Sequence, residues 1–253
     1  MGSTGPGKPR GGRVRAFDIV RGFSVVSMVA FHLCYDLRFI SGVDLAWFAP
    51  PLQDIWRASI SWSFLFVAGC MSAHSRDNLS RAGRYGAVAV LVFLATTVAA
   101  VDAPISFGII YCMATSTLVA WALARAGVAP RGRLAAAVLI VLFLALLGLP
   151  QGVVGLGPLT LEVPAALYRT GWLAWLGLPG AGFVSGDYYP LLPYLMLYLA
   201  GGALAALWRE RGYPAWAREA RCAPLELVGR HALLVYVVHQ PVLLALSSLV
   251  AGA

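Results

Sequence analysis

Long apolar runs dominate the chain, separated by short connections rich in Arg, Gly and Pro. The runs lie at 17–37, 55–74, 83–101, 104–124, 134–149, 188–208 and 231–250. Each is close to the roughly 17–25 residues that a helix needs to cross the hydrocarbon core. Helices satisfy their own backbone hydrogen bonds in lipid, so the pattern predicts an all-α transmembrane bundle of about seven spans. The run 134–149 is the purest and reads as lipid-facing. The others carry Gly, Ser, Thr or Pro, which suit close helix–helix contact. Residues 1–15 read as a disordered basic tail and 16–253 as a single membrane domain. The first run carries Asp18, Arg21, His32 and Asp36 and is followed by no small-residue cleavage motif. It is therefore expected to stay in the membrane rather than serve as a cleaved signal. The longest connection, 150–187, places Tyr168, Trp172 and Trp175 in one stretch, expected as a short helix at the outer interface.

Composition agrees with the pattern. The chain is 60% hydrophobic and 12% charged, against about 25% charged residues in soluble domains. A net charge of +8 in a soluble protein would suggest nucleic acid. Here the basic residues sit between apolar runs, so they report orientation instead, and no nucleic-acid partner is expected. With the N-terminus in the cytoplasm, sixteen of the 19 Lys and Arg fall on the inner side, leaving only Arg38, Arg57 and Arg169 outside. The expected topology is N-terminus in and C-terminus out, in the cell (inner) membrane, with 150–187 outside. The four cysteines lack CxxC spacing, which argues against a disulfide framework and a metal site.

The first run concentrates the candidate chemistry. Ionisable side chains inside a membrane are costly and are functional candidates by default. Arg21 and His32 stand eleven steps apart, which returns a helix to within roughly 20° of the same face. They are separated by about 16 Å along the axis. One face thus presents a cation at the inner end and an imidazole toward the outer leaflet. Asp18 pairs with Arg21 at i, i+3, and Asp36 lies four residues beyond His32, placed to orient its imidazole. Interfacial anchoring of Arg21 and a structural role for His32 are the plainer alternatives. In the last run, Pro241 leaves the Val237 carbonyl without its helical partner. His239 or Gln240 can answer that need locally, or His239 can line a donor channel. Arg230 and His231, at the inner end of that run, are either anchors or phosphate ligands. Asp187 is placed to cap the sixth span.

The stretch Arg-Ala-Phe-Asp-Ile-Val-Arg-Gly-Phe-Ser-Val-Val-Ser-Met-Val-Ala-Phe-His-Leu-Cys-Tyr-Asp-Leu resembles the opening helix of the heparan-alpha-glucosaminide N-acetyltransferase-like family, in its bacterial branch. The Arg–ten residues–His spacing is also similar to the first-helix motif of bacterial membrane O-acyltransferases. Further resemblance lies in Trp62-Ser-Phe-Leu-Phe-Val-Ala-Gly69, Phe107-Gly-Ile-Ile, Asp187-Tyr-Tyr-Pro-Leu-Leu-Pro-Tyr194 and Gly229-Arg-His-Ala-Leu-Leu-Val-Tyr-Val-Val-His-Gln-Pro241. The resemblance implies acyl transfer, acetyl first of all, from cytoplasmic acyl-CoA to a hydroxyl or amine of a glycan or lipid-linked sugar across the bilayer. It implies His32 as base or acyl carrier, with Asp36 supporting it. Arg21 would meet the donor's phosphates, with Asp18, Arg230 and His239 also on the donor side. No permanently bound cofactor is implied, since acetyl-CoA or another acyl-CoA is a co-substrate, and an oligomer is compatible with the sequence. A transporter or flippase for a polar or lipid-linked solute is the alternative from a different class, because intramembrane ionisable groups also serve as proton relays. Neither repeats nor paired broken helices point that way. A non-catalytic membrane partner is the third reading.

Overall fold

The computed structural model describes residues 14–100 and 102–251. Nearly all of the expected tail lies outside the described residues; of its last two positions, Val14 is buried and Arg15 already opens the first helix. The helices are α1 (Arg15–Tyr35), α2 (Leu52–Ser72), α3 (Asn78–Ala99), α4 (Ile109–Arg125), α5 (Gly132–Leu146) and α6 (Leu191–Arg211). Two short helices follow, α7 (Ala215–Glu219) and α8 (Ala223–Arg230), and then α9 (Ala232–Ala251). The fold is all-α in its architecture. By length and composition, five helices among the described residues can cross a membrane: α1 with its π-helical extension to Ile40, α3, α5, α6 and α9. The other two expected spans correspond to α2, which carries Asp54, Arg57 and several serines, and to the 17-residue α4. α4 begins five residues later than the hydrophobic pattern suggests, after a stretch of bends that ends in an extended Gly108 at its N-cap.

Helix α6 forms the centre, flanked by α2, α4 and α5, while α1 packs on α2, α8 and α9. α3 lies outermost against α4, with Ala82 its one buried residue. α5 likewise turns Leu134 and Val141 outward, as its uniform apolarity predicts for a lipid-facing helix. Between α6 and α4, the buried hydroxyls of Tyr198 and Thr117 share a 2.7 Å hydrogen bond. Trp62 of α2 meets Phe143 of α5 edge-to-face at 4.9 Å.

Two backbone crossings set these positions. At the α1–α8 crossing, a Cβ on Gly22 would stand 2.0 Å from the Leu225 carbonyl oxygen, and one on Gly229 would stand 2.0 Å from the Asp18 carbonyl oxygen. The α2–α6 crossing repeats the arrangement, with Gly69 against the Tyr198 carbonyl and Gly201 against that of Phe66. Lipid supplies no hydrophobic force between helices, so small residues that bring backbones into contact provide the packing.

The connection 150–187 divides the stretch expected as a short interfacial helix, 165–178, into two 3₁₀ turns. It folds as an antiparallel hairpin, β1 (Val153–Leu156) paired with β2 (Leu159–Glu162), followed by 3₁₀ turns at Ala165–Tyr168 and Gly171–Leu176. Gly155 and Gly157, both at positive φ, make the tight hairpin possible. The connection contains no helix long enough to form an eighth span. At one end of the bundle the Arg-rich segments converge. Arg209 donates to the Ala73 carbonyl at 2.7 Å, Arg131 faces Glu210 at 3.7 Å, and Phe17 contacts Tyr213 at 5.8 Å.

A Gly22→Ala substitution should separate α1 from α8 and cost on the order of 1–3 kcal/mol, the usual penalty for overpacking. Gly83→Ala in α3, where an added methyl meets nothing within 4 Å, should be neutral or slightly stabilising. Thermal unfolding of both variants in detergent measures the contrast. Equal melting temperatures would contradict the proposed dependence on the α1–α8 crossing.

Candidate functional site

In the first two turns of α1, Arg21 and Asp18 form one buried unit. Arg21 Nη2 donates to Asp18 Oδ1 at 2.8 Å, Nε donates to the Gly229 carbonyl at 2.5 Å, and Nη1 rests against Met71 Sδ. Asp18 is 1% exposed. The guanidinium therefore joins α1 to α2 and α8. Each of its three nitrogens has a contact inside the bundle. The reach to Gly229 follows from the glycine crossing, which brings that carbonyl alongside α1. Arg230 does not join this unit. It pairs at 3.3 Å with Glu226 of its own helix.

Toward the other end of α1, His32 meets His239 of α9, ring centroids 5.0 Å apart and nearly edge-to-face. His239 Nδ1 lies 2.6 Å from the Tyr236 carbonyl oxygen. A carbonyl can only accept, so Nδ1 carries the proton and Nε2 of the neutral ring is left as an acceptor. His239 Nε2 is buried without a hydrogen-bond partner among the described residues. Buried polar atoms are ordinarily paired, and an exception of this kind needs an explanation. His239 uses Tyr236 rather than the Val237 carbonyl exposed by Pro241, so the local answer expected from sequence is displaced by one residue.

Asp36 also differs from expectation. It is fully buried, and both its carboxylate oxygens accept from the Gln240 amide, at 3.0 and 3.1 Å. No hydrogen bond joins it to His32 among the described residues. The carboxylate thus clamps α9 to α1 and orients His32 only through the helix pair. Asp36 opens a π-helical turn, Asp36–Ile40, closed by Ser41 N–H donating to the Asp36 carbonyl at 2.8 Å. Such turns occur mostly as short insertions within α-helices, frequently at functional sites. Phe31 is in edge contact with His32 and, on its other side, with Trp56, whose Nε1 donates to Ser27 Oγ at 2.7 Å. Gln240 is the participant that sequence reasoning missed as a site residue. The adjacent Pro241 drew attention to Gln240, but only for local capping.

Asp187 caps α4 rather than the sixth span. Its Oδ2 accepts from Ile109 N–H at 3.1 Å, and Gly108 lies so close that a Cβ there would be 2.9 Å from the same oxygen. Burial pushes its carboxyl from an ordinary 3.8 up to about 6, against the opposing effects of the Ile109 N–H and the Arg57 charge. The carboxylate also acts electrostatically on Tyr189 and Tyr194, which carries its influence into the bundle.

Several long apolar helices, with ionisable groups gathered from α1 and α9 inside the bundle, define a multi-pass membrane protein. The chain belongs to the family described as heparan-alpha-glucosaminide N-acetyltransferase, catalytic, whose model matches residues 13–241. It is accordingly a membrane acetyltransferase, which favours acyl transfer over solute transport. No curated protein and no solved structure matches the chain.

The raised Asp187 pKa has a definite sign. The folded state holds the proton more tightly than the unfolded chain, so this group's contribution is fully present below about pH 4 and lost as pH rises through about 6. The loss is on the order of 2–3 kcal/mol. Asp187→Asn keeps an acceptor for Ile109 N–H and should flatten this part of the stability profile. Thermal unfolding at pH 4.5 and 7 measures it. An unchanged pH dependence in the Asn variant would assign the effect elsewhere.

Proposed function

We propose that the protein transfers an acetyl group from cytoplasmic acetyl-CoA, or a related acyl-CoA, to a hydroxyl or amine of a glycan or lipid-linked sugar on the outer side of the inner membrane. In this reading α1 to α6 and α9 are the seven spans, with the N-terminus inside and the C-terminus outside. The split of basic residues supports it, as does the meeting of the Arg-rich segments at one end of the bundle. The observation that carries the site is the His32–His239 pair, with its buried, unpartnered Nε2. An interior acceptor atom beside the His32 ring is suited to sharing or relaying a proton that His32 takes from an incoming hydroxyl or amine.

His32 acts as the base, and His239 stabilises or relays the proton. The acceptor oxygen or nitrogen attacks the thioester carbonyl while its proton passes to imidazole. The tetrahedral intermediate then collapses with cleavage of the C–S bond, and the imidazolium returns the proton to the departing CoA thiolate. A two-step course, in which His32 carries the acyl group before the acceptor arrives, uses the same atoms. Asp36 and Gln240 hold α9 in register for this exchange. Arg21 and Asp18 are positioning residues that hold α1, α2 and α8 together at the donor end.

Acetyl transfer by the purified protein in nanodiscs, followed by CoA-thiol release against amine and hydroxyl sugars, tests the reading. His32→Ala should remain folded and lose roughly 10²–10⁴-fold in turnover. Asp36→Asn should lose less, since an Asn amide can still pair with Gln240. Near-normal turnover in His32→Ala would refute the assigned chemistry.

A further inference from the structure

At the Arg-rich end of the bundle, beyond the last turn of α6, lies a cavity of about 380 Å³. It falls within the roughly 300–1,000 Å³ typical of small-molecule sites. Its wall combines Arg133 from the start of α5, Arg211 from the end of α6 and Arg218 from α7 with Trp208, Tyr213 and Pro214. None of the three arginines has a carboxylate partner among the described residues, whereas the neighbouring Arg131 is paired with Glu210. Three unneutralised guanidiniums around one cavity form an anion site, and each fork matches phosphate geometry bidentately.

The aromatic side of the wall narrows the ligand class. Trp208 and Tyr213 stand 5.8 Å apart, and the Tyr213 hydroxyl is tied to His74 Nε2. His74 Nδ1 in turn lies 3.0 Å from the Cys70 carbonyl. A fixed aromatic surface beside arginines suits a nucleobase carrying phosphates, since bases stack on aromatic side chains and Arg adds cation–π attraction. The cavity wall also touches α1. Tyr213 contacts Phe17 at 5.8 Å, and Phe17 stands one turn of α1 before Arg21. From Phe17 to His32 the helix climbs about 22 Å. CoA has this general layout, a phosphorylated nucleotide at one end and a thioester at the end of a long flexible arm.

We infer that the Arg133–Arg211–Arg218 cavity binds the 3′-phosphorylated ADP portion of the acyl-CoA donor. The inference rests on the acyl-CoA reading above and adds a site separate from Arg21, whose guanidinium is engaged inside the bundle. Anionic lipid headgroups share the phosphate chemistry but lack the base, so a nucleotide probe separates the two sources.

The test is direct titration of adenosine 3′,5′-bisphosphate onto the full chain in nanodiscs of neutral lipid, with acetyl-CoA turnover measured on the same preparation. Saturable binding is expected, and R133Q/R211Q/R218Q should weaken it at least tenfold. R131Q, adjacent but outside the cavity wall, should bind as wild type does and shows that loss of an arbitrary surface arginine is not the cause. Adenosine bisphosphate binding unaffected by the triple substitution, or absent from the wild type, would overturn the inference. So would a triple variant altered only in its affinity for phosphatidylglycerol nanodiscs, which would assign the cavity to lipid headgroups. Turnover of acetyl-CoA without such binding sinks this inference alone. Nucleotide binding without turnover leaves the cavity in place and counts against the transfer reaction.

Discussion

The backbone contact between Gly22 and Gly229 is the constraint on which the site depends. Because neither residue has a Cβ, α8 lies directly on α1, and the Gly229 carbonyl comes within 2.5 Å of Arg21 Nε. α9 follows α8 after a single non-helical residue, His231. The placement of α8 therefore sets the starting point and direction of the last helix. His239 reaches His32 because that direction is fixed near one end of α1 by Arg21 and Asp18 and near the other by Asp36 and Gln240. A side chain at the crossing would tilt α9 and part the two imidazoles, although neither histidine touches the crossing.

The polar groups in the interior follow the same logic. Each has a structural cost in a low-dielectric bundle, and most are partnered: Arg21 by Asp18 and backbone, Asp36 by Gln240, and Asp187 by the free N–H at the start of α4. His239 Nε2, like Gln240 Oε1 and Asn78 Oδ1, is buried without a hydrogen-bond partner among the described residues, and it alone of the three has a second imidazole beside it. A reactive site requires some such local deficit, since a fully satisfied imidazole has no lone pair to offer. Membership in an acetyltransferase family gives this deficit a chemical use.

Much of the fold was legible in the sequence because hydrophobic length and Arg placement are one-dimensional signals. The seven runs correspond to helices, and the purest of them is lipid-exposed. The Arg21–His32 spacing, a single-helix property, survives intact. Relations between helices were not legible. An i, i+4 rule pairs Asp36 with His32, yet Gln240, 204 residues away, claims both its oxygens. Asp187 reads as a cap for the helix that follows it, but the open N-terminus of α4 is nearer in space. The hairpin at 153–162 was missed because a run of four-residue strands carries little periodicity, and the apolar length on either side dominates the reading.

In the proposed transfer, His32 and His239, brought together by the α1–α8 crossing, act as one unit. A double-mutant cycle on acetyl transfer tests this most directly, using His32→Ala, His239→Ala and the double variant, each checked for folding. If the pair is one unit, the double variant should be little worse than the worse single variant, because residues acting together are grossly non-additive. Losses that simply multiply would contradict the claim and leave the two histidines as independent contributors.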